Sequence, residues 1–194
     1  LEQALGVEPE SGEAWLAYGV VLAESGPESA RPARMAIVKA AQLSPADSAP
    51  WVAQGDLDLR EEHWTDAVAS FRQALERNAE DVAARTNLGV ALARTGDTRG
   101  ARAAFLEVTQ RAPGVGAAWN GLGAMRLALH DAEGAVGPLQ QASVLLPDDP
   151  TPALNLGRAL EKLQRWNDAV AAFRERLRRD PANEVALRHL AALQ

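Results

Sequence analysis

Cysteine is absent from this chain of 194 residues, which excludes disulfides and thiolate metal sites from its chemistry. No run of 18 apolar residues occurs, so no segment is built to span a bilayer as a single helix. No basic start followed by an apolar stretch marks a signal peptide, and the compartment is left open. Positive charge is scarce: 20 Lys and Arg stand against 26 Asp and Glu, a net charge of -6. Nucleic acid is therefore not an expected partner, because phosphate binding needs clustered cations. Gly-rich phosphate loops and strained serine elbows are also missing, and with them the usual signatures of nucleotide and acyl-transfer chemistry.

What remains is a chain with 47% hydrophobic and only 5% aromatic residues, rich in Ala and Leu, the composition of a folded helical protein. Its charge is uneven. Residues 1–97 hold 8 Lys and Arg against 16 Asp and Glu, whereas residues 98–194 hold 12 against 10. The front is acidic and the back mildly basic.

The chain repeats. His63-Trp64-Thr65-Asp66-Ala67-Val68-Ala69-Ser70-Phe71-Arg72 returns as Arg165-Trp166-Asn167-Asp168-Ala169-Val170-Ala171-Ala172-Phe173-Arg174, three units of 34 residues later. Ala101 with Phe105, and Ala135 with Leu139, fill the same places between them. A residue-glycine pair recurs at Gln54-Gly55, Leu88-Gly89, Leu122-Gly123 and Leu156-Gly157, with Tyr18-Gly19 ahead of them. Pro113, Pro147 and Pro181 close successive units. Within a unit, apolar residues at helical spacing, such as Leu88, Ala91 and Leu92, then Ala101, Ala104, Phe105 and Val108, flank the turn Thr95-Gly96-Asp97. Each unit reads as two amphipathic helices. Small residues at the glycine and alanine places let those helices approach closely. Asp149-Pro150 and Asn183-Glu184 read as helix starts.

These residues resemble the tetratricopeptide repeat, whose pattern is Trp, Leu-Gly, an aromatic, Ala, Phe and a closing Pro. Trp15, Trp51 and Trp119 take its first place. The resemblance implies an all-α, right-handed superhelical solenoid of antiparallel helix pairs. Its units are 12–47, 48–81, 82–115, 116–149 and 150–183. Residues 1–11, with Leu1, Ala4 and Pro9, read as the tail of a preceding repeat, and 184–194, with Leu187 and Leu190, as the start of a sixth. The chain is thus expected to be an internal piece of a longer array.

Three departures stand out. Two extra residues lengthen the first turn around Ala23–Ser29. Gly134, Gly137 and Pro138 fall early in the second helix of the fourth unit, where Pro138 lacks the N–H that would bond Gly134. A bend, a late start or mobility is expected there, since proline inside a helix costs ~3 kcal/mol. Arg176 replaces a small alanine, so its stem should either snorkel outward or loosen the junction with the next unit.

Little in the sequence suggests catalysis. His63 and His130 fall in turns as solvated residues, and no partners group with them or with His189. Asp56, Asp58, Glu61 and Glu62 read as a solvated acidic face, because no oxygen-rich loop accompanies them. Trp64 and Trp166, in equivalent places after the hairpin turn, read as packing residues, and the Arg174–Arg179 run as cations at a helix C-terminus. No catalytic residue, metal site or cofactor is expected.

In the resembled family the first helices line a concave groove that holds polypeptide segments. Carried onto this chain, the groove positions are Leu16, Val20, Val52, Asp56 and Leu59 in the first two units and Thr86, Asn87 and Val90 in the third. Asn120, Ala124 and Leu127 follow in the fourth, and Leu154, Asn155, Arg158 and Lys162 in the fifth. A subclass clamps a C-terminal carboxylate with Lys and Asn in one unit, Asn in the next, and Lys and Arg in the third. Asn155 takes the middle place here, but Asn120 and Ala124 stand where Lys and Asn should precede it, so that clamp is not expected. The expected role is a non-catalytic scaffold that binds a protein or peptide. The substrate-selecting arm of a larger enzyme and a self-associating scaffold are the alternatives. With Glu13 and Glu24 in front and Arg188 behind, a bound segment should lie with a basic end toward the first unit and an acidic end toward the fifth.

Overall fold

The computed structural model describes residues 10–192, and among them every regular element is helical. Eleven α-helices run in order: α1 (Gly12–Glu24), α2 (Ala30–Leu43), α3 (Ala49–Arg60), α4 (Trp64–Arg77), α5 (Val82–Thr95), α6 (Thr98–Arg111), α7 (Gly116–Ala128), α8 (Ala132–Leu145), α9 (Thr151–Lys162), α10 (Trp166–Arg179) and α11 (Glu184–Ala192). The expected tail of a preceding repeat lies, but for Glu10 and Ser11, outside the described residues. The chain divides at Thr95 and Gly96 into two compact units, each a stack of helical hairpins.

In the first unit α1 packs on α2 and α3 on α4, while α2 and α4 each pack against the next helix in the chain. Ala33, Ile37 and Leu57 are the buried centre, with Leu22, Ala23, Ala30 and Ala53 around them. The two extra residues of the first turn form a short 3-10 turn, Pro27–Ser29, entered through Gly26 at φ 133°. In the second unit the core joins Val136 and Leu139 of α8, Leu160 of α9 and Phe173 of α10, with buried alanines on both sides. Alanine and glycine set the spacing. A methyl group on Gly55 would lie 2.7 Å from the Phe71 ring, and one on Gly157 would lie 2.5 Å from that of Phe173. The size of one side chain thus fixes how near α3 and α9 come to their partners.

Three hairpins close through the same backbone device. Glu62, His130 and Gln164 sit at φ 61°, 63° and 57°. Past them the N–H groups of His63, Asp131 and Arg165 return to the carbonyls of Asp58, Arg126 and Leu160 at 2.8–2.9 Å. This double-bonded cap satisfies helix-end carbonyls, but it places non-glycine residues in the left-handed region. Starts are capped by side chains: Asp97 accepts from Gly100 N, Asp131 from Gly134 N, Asp81 from Ala84 N and Asn183 from Ala186 N, each at 2.9 Å. Asp149 accepts instead from Thr151 N at 2.8 Å, so Pro150 lies just outside α9 rather than at its first position.

The expected late start of the fourth unit's second helix is not observed. α8 runs from Ala132 through Leu145 with Pro138 buried inside it. The Gly134 carbonyl, which Pro138 cannot serve, instead accepts from Arg126 Nη1 at 2.5 Å. Arg176 does not snorkel outward either. Its side chain is 12% exposed and its Nη2 bonds Asp180 Oδ2 at 3.1 Å. Asp180 Oδ2 also accepts from Asn183, the cap of α11, which ties the end of α10 to the start of the last helix.

Candidate functional site

The acidic face at the end of α3 is not uniformly solvated, contrary to the reading of the sequence. Asp58 is 1% exposed, and three side chains hold it: Arg34 Nη1 at 2.7 Å, Gln54 Nε2 at 3.2 Å and Ser70 Oγ at 3.1 Å. Arg34 also bonds Glu61, whose carboxylate lies 3.5 Å from His63 Nδ1. Asp58, Glu61 and His63 together have the spacing to hold a metal ion. The Arg34 guanidinium already bonds both carboxylates, so one cation of the fold itself bridges the pair.

His189 likewise has partners that sequence spacing did not reveal. Its Nδ1 lies 2.7 Å from Glu161, and its ring stacks on Phe173 at 5.0 Å. Trp166 is 47% exposed, so only part of its surface is packed. Its counterpart Trp64 is half-buried beneath the Arg94 guanidinium, 5.3 Å away.

The first-helix face of the first unit forms a cleft of about 340 Å³. Four of the groove positions named from sequence, Leu16, Val20, Val52 and Asp56, line it. Leu59 of the same helix is half-buried and does not. Asp81, the cap of α5, and Arg60 complete the rim, and sequence reasoning had missed both. The signal for Asp81 was its position as the cap that opens α5. Asn87 donates from Nδ2 to Asp56 Oδ1 at 2.8 Å and so links α5 to α3 across this face. Burial, more than any other influence, pushes the Asp56 carboxyl above its ordinary pKa. The Asn87 bond and Arg60 pull it back, while the charge of Asp81 adds to the rise. Val90 is 37% exposed on α5. Thr86 departs from expectation: it is buried, and its hydroxyl returns to the Val82 carbonyl at 2.7 Å, so it belongs to the packing.

In the second unit Asn155 Nδ2 donates to Asn120 Oδ1 at 3.1 Å, a second amide bridge between successive first helices. Asn155 stands 68 residues after Asn87, in the same place of its repeat. Ala124 is half-buried, and Leu127 and Leu154 pack against the core, which leaves Arg158 and Lys162 as the exposed members of the set on α9. Among the described residues no helix is long and apolar enough to cross a membrane.

Paired antiparallel helices with a 34-residue period, small residues at the contacts and polar bridges along the first helices define a helical-repeat protein of the interaction-scaffold class. Family models described as Tetratricopeptide repeat match residues 52–115 and 92–150, and again 153–185. The chain belongs to the tetratricopeptide repeat family. Solved structures agree at the level of fold. YrrB, described as a tetratricopeptide repeat protein with an unusual peptide-binding site, superposes with a TM-score of 0.82 at 15% identity, over 96% of this chain and 95% of that one. PilF of Pseudomonas aeruginosa gives 0.81 at 19% identity, over 96% and 84%. MamA gives 0.80 at 16% identity, over 89% and 93%. No curated protein matches by sequence.

Proposed function

We propose that this chain is a non-catalytic scaffold that holds a segment of another polypeptide along the exposed face of its first helices. The observation that carries the reading is the cleft between α1 and α3, which is lined by Leu16, Val20 and Val52 and edged by charge. An apolar surface left open beside placed polar groups is what a side chain of a bound segment can fill. The amide bridge Asn87–Asp56 holds α3 and α5 in register beside the cleft, so that face is presented preorganised rather than ordered on binding.

Panning a random dodecamer phage library on the purified chain tests this. Peptides should be enriched, and placing charge on the apolar wall of the cleft with Val20→Asp and Val52→Asp should weaken them, since a desolvated carboxylate there gains no partner. Reversing Arg72 and Arg102 to Glu, exposed on the second helices α4 and α6, should leave binding unchanged. Equal losses from both pairs would place the binding surface elsewhere.

A further inference from the structure

At one end of the α1–α3 cleft Asp56 and Asp81 stand near enough for the charge of one to act on the other. Each spends one oxygen inside the protein: Asp56 Oδ1 accepts from Asn87 at 2.8 Å and Asp81 Oδ1 from Ala84 N at 2.9 Å. Their second oxygens have no hydrogen-bond partner among the described residues. Arg60, the cation on the same rim, donates from Nη1 to the Ala23 carbonyl at 3.0 Å rather than to either carboxylate. The cleft therefore joins an apolar wall to a net negative pole.

We propose that this cleft selects a lysine or arginine of the bound segment, its aliphatic stem against Val20 and Val52 and its charged head between Asp56 and Asp81. The proposal rests on the groove reading and adds which side chain the groove prefers. A long cationic residue matches both parts of the site, since its methylenes cover apolar surface while its head makes charge-assisted bonds. An apolar residue would cover the wall and leave two desolvated carboxylates facing each other. An acidic residue would add a third negative charge. Discrimination thus comes from repulsion as much as attraction. Burial already holds the Asp56 carboxyl above its ordinary pKa, and a bound cation would relieve that unfavourable state.

The same dodecamer library supplies the test. Peptides retained by the intact chain should carry Lys or Arg beside apolar residues. A synthetic copy of the dominant peptide should bind the Asp56→Asn, Asp81→Asn double variant about tenfold more weakly. Replacing its basic residue by norleucine should cause a similar loss on the intact chain and little further loss on the variant. Asparagine keeps an acceptor for Asn87 and remains a good helix cap, so circular dichroism should be unchanged. Enriched peptides without a basic residue, or equal affinity for the variant, would overturn the proposal while leaving the groove reading standing, provided the Val20 and Val52 substitutions still weaken them. Failure of the intact chain to retain any peptide would instead remove the groove reading, and this proposal with it.

Discussion

Arg126 of α7 donates from Nη1 to the carbonyl of Gly134 on α8 at 2.5 Å, the carbonyl that Pro138 leaves without its helical partner. Arg126 occupies the repeat place held by Leu92 and Leu160, and Pro138 the place held by Ala104 and Ala172. The second unit of the repeat makes a parallel exchange, with Asp58 in the leucine place and Ser70 in the alanine place, joined at 3.1 Å. Where the leucine becomes polar, the residue facing it changes with it.

Replacing Arg126 by Leu should therefore destabilise the chain although it restores the repeat's own residue. It orphans a carbonyl, for which the usual cost is about 1–3 kcal/mol. Adding Pro138→Ala supplies an N–H to Gly134 and should recover most of the loss. Urea unfolding of the two single variants and the double variant gives the coupling. Additive effects would mean that the Arg126 bond does not stand in for the missing one.

The period, the helix pairing and the close glycine contacts were legible in the sequence because they depend on residue size and spacing alone. The exceptions depended on partners in other elements. Pro138 was read as a defect because Arg126 lies on the preceding helix, and Asp58 was read as solvated because Arg34 and Ser70 come from α2 and α4. The first-helix face was legible through family resemblance, but Asp81 was missed because it lies in a turn. The left-handed turn positions were hidden as well, since Glu62, His130 and Gln164 carry none of the glycine signal that Gly96 displays.

That hidden strain is testable. Gln164→Gly and His130→Gly should each stabilise by up to about 1 kcal/mol, because a side chain in the left-handed region costs about 1–2 kcal/mol and the greater freedom of unfolded glycine returns only part of it. The reverse change, Gly96→Ala at φ 86°, should destabilise by about 1 kcal/mol. Thermal melts of the three variants suffice, and a loss of stability from both glycine substitutions would contradict the assignment of strain.

Gly157→Ala tests the close approach of α9 to α10. The new methyl would fall 2.5 Å from the Phe173 ring, which is fully buried and has no space to retreat. Overpacking of this kind costs about 1–3 kcal/mol. Phe173→Leu alone should also destabilise, by leaving a cavity, yet in the Gly157→Ala background it should cost less than it does alone. A double-variant stability equal to the sum of the two losses would show that the glycine is not there to admit the ring.

Asp56 should make stability depend on pH in the direction opposite to most acidic residues. Its folded pKa is raised, chiefly by burial, so the folded chain holds this proton more tightly than the unfolded chain does. The contribution is fully present below the unfolded carboxylate value of about 3.9 and is lost as pH rises through the folded value. At neutral pH the ionised group is therefore a net cost. Asp56→Asn removes the charge and keeps the acceptor that Asn87 uses, so it should stabilise the chain at pH 7 and lose that advantage at pH 3. Chemical denaturation of both proteins across that range measures the difference. If Asp56→Asn destabilises equally at both pH values, the carboxylate is part of the framework rather than a charge retained at a cost to stability. The expected gain would instead fit a residue kept for what it binds, since the same substitution should weaken the peptide whose cation it meets.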